Sequence, residues 1–326
     1  MTVQPKVQAP TTTPFSSGAA DALEALHERW NSHAMTAFSI LSNPNPSDGK
    51  RALSPIVQLR IAANYRLQQQ TGEQSTTLSE LSQRDDQYGL FARCEIQVTH
   101  LPAAPILPLI NLPKRSTRPF LDGELTDSIW EDAEEIRLTP FVREALDPAT
   151  GTRRPSLSHA ADISSLTMLA WDEEFLYIAA RLQRAPEKSS PIELAMHRGY
   201  DAKHENRDRL ELEIDTDRDF STAFQLTVDE LGETSDRCWM LDKWNPKWFV
   251  AIDADVATWR IEAAIPLKEI SATGAKPGDL WNIRLRRIIP GVLQHELQTG
   301  NNSVSSDGTG MLRFIRPRRT TTSSKR

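Results

Sequence analysis

The sequence has little to cross-link it and nothing to carry it through a membrane as a helix. Two cysteines in 326 residues, Cys94 and Cys238, cannot build a disulfide framework. No apolar run approaches the roughly 18 residues that a spanning helix needs. The opening, MTVQPKVQAPTTTPFSSG, lacks the apolar centre of a signal peptide, which points to a cytoplasmic chain or to a natural start other than Met1. Positive charge is not in excess: 38 Lys and Arg against 44 Asp and Glu give a net charge of -6, so nucleic-acid binding through the whole surface is not expected. There is no G-x-S-x-G, no H-E-x-x-H, no P-loop and no glycine-rich dinucleotide fingerprint. No catalytic residue is assigned on this basis. What remains is 39% hydrophobic residues and 25% charged ones, enough for one packed core of ordinary size with an additional region.

The chain divides by composition. Residues 1–18 are rich in Thr, Pro and Ser and are expected to be disordered. A helical region with one short strand is expected over 19–101. Leu23, Leu26, Trp30, Ala34, Ala37 and Leu41 fall near one face of a helix over 21–41, which Asn43-Pro44-Asn45-Pro46 ends. Ser54-Pro55 opens a second helix running to about residue 70, with Ile56, Leu59, Ala63 and Leu67 on one stripe. Residues 71–89 are polar, and 91–98 reads as the strand. Prolines at 102, 105, 108, 113 and 119 make 102–118 an extended linker.

Beyond the linker the period changes to two. In RLELEIDTDRD, Leu210, Leu212 and Ile214 point one way, and Arg209, Glu211, Glu213 and Asp215 the other. Strands are expected at 166–171, 175–182, 210–215, 223–228, 237–241, 248–252, 259–265, 281–289 and 312–315. Turn signals separate most of them, among them Glu230-Leu231-Gly232 and Lys276-Pro277-Gly278-Asp279. Short helical turns fit 127–133 and 267–270. The fold class is mainly β: an antiparallel, jelly-roll-like β-sandwich over 119–316, with the N-terminal α-helical region before it and a disordered basic tail, 317–326, after it.

Six fragments occur in an order that resembles the family 9 carbohydrate-binding modules. They are FLDGELTDSIWEDAEEIRL, AWDEEFLYIAARL, RLELEID, WRIEAAIPLKEI, KPGDLWNIRLRRI and GMLRFI, and they span about 119–316. The resemblance implies a non-catalytic β-sandwich that binds oligo- or polysaccharide and serves a polysaccharide-degrading system, outside the cytoplasm. In that family two tryptophans clamp a terminal sugar and polar side chains fix its hydroxyls. By this resemblance the polar glutamate falls on Glu211, the asparagine close to Asn301 and the arginine on Gln225. The clamping tryptophans fall near Glu205 and Val304, neither of them aromatic, so the sugar clamp departs from the family pattern.

Other residues could complete such a site. Trp244, beside the Asn245-Pro246 turn, is a candidate aromatic platform, whereas Trp239, Trp248, Trp130, Trp171, Trp259 and Trp281 read as packing residues. Tyr200 lies with His197 and His204 in the long loop before Arg209, and could swing in to rebuild one side of the clamp. The two histidines alone make a weak metal pair. Asp215, Asp217 and Asp219 place oxygen donors at alternate positions, as calcium loops do, without the glycine and distal glutamate of an EF-hand. Glu211 and Glu213 share a strand face about 7 Å apart at Cα, and do not flank a scissile bond as a glycosidase pair must. The other readings are a structural or interaction sandwich that has lost sugar binding, and an accessory part of a glycoside hydrolase.

Overall fold

The structure, a computed structural model, describes residues 7–8, 53–98, 105–140, 144–146, 153–155, 163–186, 199–239, 241, 244–291, 293–297 and 308–316. Three helices come first: α1 (Pro55–Leu67), α2 (Thr71–Ser82) and α3 (Gln87–Val98). Ser54-Pro55 starts α1 as expected: Ser54 is extended and the proline takes the first turn, where its missing N–H costs nothing. The polar stretch 71–89, inside the region expected to be helical, contains α2, whose Leu78 and Leu81 are buried. The strand expected at 91–98 is instead the body of α3. Asp86 caps it, its Oδ1 accepting from the N–H groups of Tyr88 and Gly89 at 3.1 Å. The helical phase then buries Leu90, Phe91 and Cys94 together, a run too short for periodicity alone to separate helix from strand. The helix expected over 21–41 lies outside the described residues.

The remainder is a sandwich. Its strands are β1 (Leu109–Pro113), β2 (Ile136–Arg137), β3 (Thr139–Pro140), β4 (Ser165–Trp171), β5 (Phe175–Gln183), β6 (Arg209–Asp215), β7 (Phe224–Asp229), β8 (Thr234–Cys238), β9 (Phe249–Ala254), β10 (Thr258–Pro266), β11 (Leu280–Ile289), β12 (Leu293–Glu296) and β13 (Thr309–Ile315). Short helices α4 (Ser128–Glu131) and α5 (Leu267–Ile270) sit where helical turns were expected. One sheet runs β8-β7-β6-β11-β12-β3, with β13 pairing the first half of β11 and β1 pairing β13 in parallel. The other runs β9-β10-β5-β4-β2. β1 falls inside the stretch read as a linker. The prolines around it, and Pro113 within it, concealed it, yet an outer strand tolerates one at its end.

Between the sheets lies the main core. Leu210, Leu212 and Ile214 of β6 are buried there, as the alternation requires, with Leu226, Ile283 and Leu285 from the same sheet. Leu176, Ile178, Trp259 and Ile261 meet them from the other. A second cluster sits on the far face of the five-stranded sheet, where Leu121, Ile129 and Trp130 cover Phe175, Tyr177 and Ala264. The helices make a third with Phe220 and Met311, and the Phe91 and Phe220 rings stack 4.3 Å apart, 13° from parallel. Trp130, Trp171, Trp259 and Trp281 are buried as expected. Trp239 is not. It follows β8 at a positive φ of 51° and is 45% exposed, with the Arg60 guanidinium 4.8 Å from its ring centre. It had been expected in the core because the strand was expected at 237–241. The strand ends at Cys238, and the turn swings Trp239 out.

Candidate functional site

The hairpins β6–β7 and β7–β8 set a row of polar side chains on the outer face of the larger sheet. Glu211 pairs with Thr227 and Glu213 with Gln225, and beyond them Thr227 pairs with Ser235 and Gln225 with Arg237. Since the inner positions of β6 and β7 are apolar, alternation sends these polar residues outward. The loop before β6 returns along the edge and brings Asp201, His204 and Glu205 over the same face. An open cleft of about 670 Å³ results. Each of its described lining residues carries a hydrogen-bonding side chain, and none is a Phe, Tyr or Trp. Arg209 and Arg237 stand against four carboxylates, Asp201, Glu205, Glu211 and Asp236, so the cleft leans acidic.

Glu211 is 8% exposed and held from both sides. Arg209 Nε donates to its Oε1 at 2.8 Å and Arg286 Nη2 to its Oε2 at 3.1 Å. Arg286 also donates to Glu213 at 3.0 Å, and Arg284 to Glu213 at 2.6 Å. The result is a ladder of alternating charge across β6 and β11, which fixes the carboxylate against the sheet. Arg237 Nε donates to Gln225 Oε1 in the same way. Gln225 and Glu211, both expected at the site, therefore do line one cleft. Asn301 and Val304 lie outside the described residues, as does His197. Trp244 is half-buried, its ring 5.0 Å from that of Phe224, and packs on the core instead of lining the cleft. Tyr200 is 75% exposed beside the lining residue Asp201 but is not part of the lining.

One further constellation in the cleft escaped the sequence reading. His204 Nδ1 lies 3.0 Å from Asp229 Oδ2, and His204 Nε2 lies 2.9 Å from Ser235 Oγ. Asp229 is fully buried, and its Oδ1 accepts from the N–H groups of Leu231 and Glu233, each at 3.0 Å. Arg207 adds a charged contact to Oδ2 at 2.9 Å. Burial alone would raise the Asp229 carboxyl, but His204, Arg207 and these backbone donors hold it below the usual carboxylate range. Only the outward phase of Ser235 beside Thr227 could have hinted at it.

The acidic turn after β6 does gather. Carboxylate oxygens of Asp215, Asp217 and Asp219 all lie within 4.8 Å of one another. Burial, then the neighbouring carboxylates, pushes Asp215 well above the usual range, and Asp217 rises for the same reasons. Their lone pairs, however, are largely taken by the protein. Asp215 Oδ2 accepts from Phe220 N–H and Asn282 Nδ2, while Asp219 accepts from Ser221, Thr222 and Arg60. Arg66 donates to the Asp217 carbonyl, and Arg66 and Arg218 both bind Glu95 of α3. A calcium ion seeks six to eight oxygens, and this donor set is a poor fit because guanidinium groups already serve the corner. Both cysteines are free, and burial raises the Cys94 thiol to about 12.

Among the described residues no helix is long and apolar enough to cross a membrane. No protein-family model and no curated protein matches the chain. Solved structures of similar fold do exist. A family 9 carbohydrate-binding module from Caldicellulosiruptor kristjanssonii in complex with cellotriose is 15% identical, with a TM-score of 0.42 over 65% of this chain and 96% of that one. The same organism's family 9 module in complex with glucose is 17% identical, with a TM-score of 0.41 over 66% of this chain and 99% of that one. The chain is similar to these modules in fold.

Proposed function

We propose that the cleft on the outer face of β6, β7 and β8 binds a saccharide through hydrogen bonds and serves a polysaccharide-degrading system. The observation that carries this reading is the lining, in which every described side chain offers a donor or an acceptor. A polyhydroxylated ligand can use such a wall, whereas an apolar one would strand its polar groups. Glu211, clamped between Arg209 and Arg286, is a preorganised acceptor for a pair of sugar hydroxyls. The acidic balance argues for a neutral sugar over a uronate.

Among the described lining residues no Phe, Tyr or Trp is placed to stack on a sugar. Aromatic contacts add about 0.5–1.5 kcal/mol each beyond area burial, and hydrogen bonds exchanged with water give only about 0.5–1.5 kcal/mol net. The expected Kd for a simple sugar is therefore on the order of 1 mM, or about -4 kcal/mol. Calorimetry with glucose, cellobiose and xylobiose tests the reading on the full chain. Glu211→Gln is expected to weaken binding about tenfold. Unchanged binding by that variant would remove Glu211 from the site, and no binding to any of these sugars or to a glycan array by the folded protein would overturn the reading. One observation favours a second reading, a structural face: the Arg209, Glu211, Arg286, Glu213, Arg284 ladder satisfies itself without a ligand.

A further inference from the structure

Three residues with the donor and acceptor roles of an acyl-transfer triad meet in this cleft. They come from three places: His204 from the loop before β6, Asp229 from the end of β7 and Ser235 from β8. The tautomer follows from the partners. An ionised Asp229 carboxylate can only accept, so His204 Nδ1 carries a proton, and in the neutral ring Nε2 is left to accept from the Ser235 hydroxyl at 2.9 Å. The order of contacts is therefore nucleophile, base and orienting carboxylate. Asp229 is well suited to the third part, being fully buried, ionised and held by Arg207 and two backbone N–H groups. Ser235 is half-buried and lines the cleft, so a substrate atom can reach its Oγ.

A fourth group completes the site. Arg237 stands two residues beyond Ser235 on the same strand and lines the same cleft, about 7 Å away at Cα. Its Nε is used by Gln225, and its terminal nitrogens have no partner among the described residues. They can donate to an oxyanion that forms beside Ser235.

We propose that Ser235 is the nucleophile of an ester hydrolase whose substrate class is an O-acylated saccharide, with His204 as general base, Asp229 as its orienting partner and Arg237 as the oxyanion donor. The saccharide half of this rests on the binding reading above; the triad does not. In the first step Ser235 Oγ bonds to the ester carbonyl carbon while its proton passes to His204 Nε2. The tetrahedral species collapses, the C–O bond to the sugar breaks, and the departing sugar oxygen takes that proton from Nε2. The acyl group is left on Ser235. Water then attacks the acyl carbon, gives a proton to Nε2, and the carboxylic acid leaves as Ser235 Oγ recovers the proton. Water is the one co-reactant, and no oxidant, reductant or metal enters the balance.

The test uses the full chain and a fluorophosphonate probe, with the adduct mapped by mass spectrometry, because labelling of the unaltered protein needs no variant to fold. Release of acetate from acetylated cello- and xylo-oligosaccharides is followed in parallel. An adduct on Ser235 is expected. Ser235→Ala and His204→Gln are each expected to lower acetate release at least about a hundredfold, the scale of general-base catalysis. The double variant should be no worse than either single one, since members of such a unit are not additive. A fold held together by the His204 bridge, and nothing more, would lose stability in these variants without that non-additive loss of turnover. Absence of a Ser235 adduct in folded protein, or acetate release that survives Ser235→Ala, would overturn the proposal. Sugar binding measured on Ser235→Ala separates the two readings. Binding that persists without an adduct in the parent protein sinks the triad alone; an adduct without any sugar binding sinks the saccharide reading and the substrate class with it.

Discussion

Removing Asp208 should cost this protein more than removing any surface charge. Arg287 lies on β11 at an inward position, and it is fully buried. Its Nε and Nη2 reach the two carboxylate oxygens of Asp208 at 2.9 and 2.6 Å, and Nη1 and Nη2 cross to the other sheet, to Ser165 Oγ at 2.9 Å and the Gln183 carbonyl at 2.6 Å. Trp259 Nε1 donates to Asp208 Oδ2 at 3.1 Å. This network bridges the sandwich at one end. Asp208→Ala leaves a guanidinium buried with only neutral acceptors, a change that costs about 3–5 kcal/mol. At roughly 2–4 °C per kcal/mol for a domain of this size, the melting temperature should fall by about 6–20 °C. Replacing the pair by Asp208→Leu with Arg287→Met should cost less than Asp208→Ala alone, because no charge is then stranded. Urea unfolding of the two variants gives the answer. A loss under about 1 kcal/mol for Asp208→Ala, or a double variant less stable than Asp208→Ala, would refute the reasoning.

Four other outcomes follow from particular contacts. Phe91→Ala removes the ring stacked on Phe220 and should cost about 3–5 kcal/mol by urea unfolding, with helices and sandwich melting together. Gly123 has a φ of 82°, and an added Cβ would lie 2.5 Å from the Asp253 backbone nitrogen, so Gly123→Ala should cost about 2–4 kcal/mol in the same assay. Glu262 is buried and rises to about 7 because burial outweighs the N–H donors of Gly123, Trp130 and Asp122; the folded state then binds more protons than the unfolded one, so its contribution is fully present below about 4.5 and is lost as the pH rises through about 7. At about 1.4 kcal/mol per unit the loss is roughly 3 kcal/mol at most, and it should be absent from the pH dependence of Glu262→Gln. Millimolar calcium or its chelation should leave the melting temperature within about 1 °C, since guanidinium and backbone donors already serve the Asp215 corner; a rise of several degrees would mark a cation there.

The sandwich was legible because its strands have one wet face. The pattern in RLELEID carries its own register, and the inward Leu210, Leu212 and Ile214 confirm it. Legibility failed wherever a partner is distant in sequence or an apolar run is short. Arg287 occupies the inward phase of β11, and nothing near it announces the carboxylate that neutralises it, 79 residues away. Leu109–Pro113 lies among the prolines of a linker and is a strand only because β13 pairs with it. The helical identity of Gln87–Val98 rests on Asp86 and on burial against the two preceding helices. At the site, Glu211 and Gln225 came from the resemblance and share one cleft, whereas Trp244 is spent on packing. His204, Asp229 and Ser235 could not be grouped from sequence, since 25 and 31 residues separate the histidine from its two partners.

A single short stretch supplies both the cleft and its support. From residue 207 to 211, side chains leave the backbone alternately toward the outer face and toward the core, and His204 reaches the outer face from the loop before them. His204, Arg207, Arg209 and Glu211 go out, while Asp208 and Leu210 go in. The Asp208–Arg287 bridge therefore anchors the segment that presents the histidine. The Glu230 N–H donates to the Asp208 carbonyl at 2.8 Å, tying the turn after Asp229 to the same anchor. A histidine held between an aspartate and a serine is useful only if its angle is fixed, because a shift of about 1 Å can cost a hundredfold in an organised site. For the proposed triad, the Asp208–Arg287 pair anchors the histidine's segment from the core side. Its inward charges, which the core would be more easily built without, are placed where the outer face most needs a rigid floor.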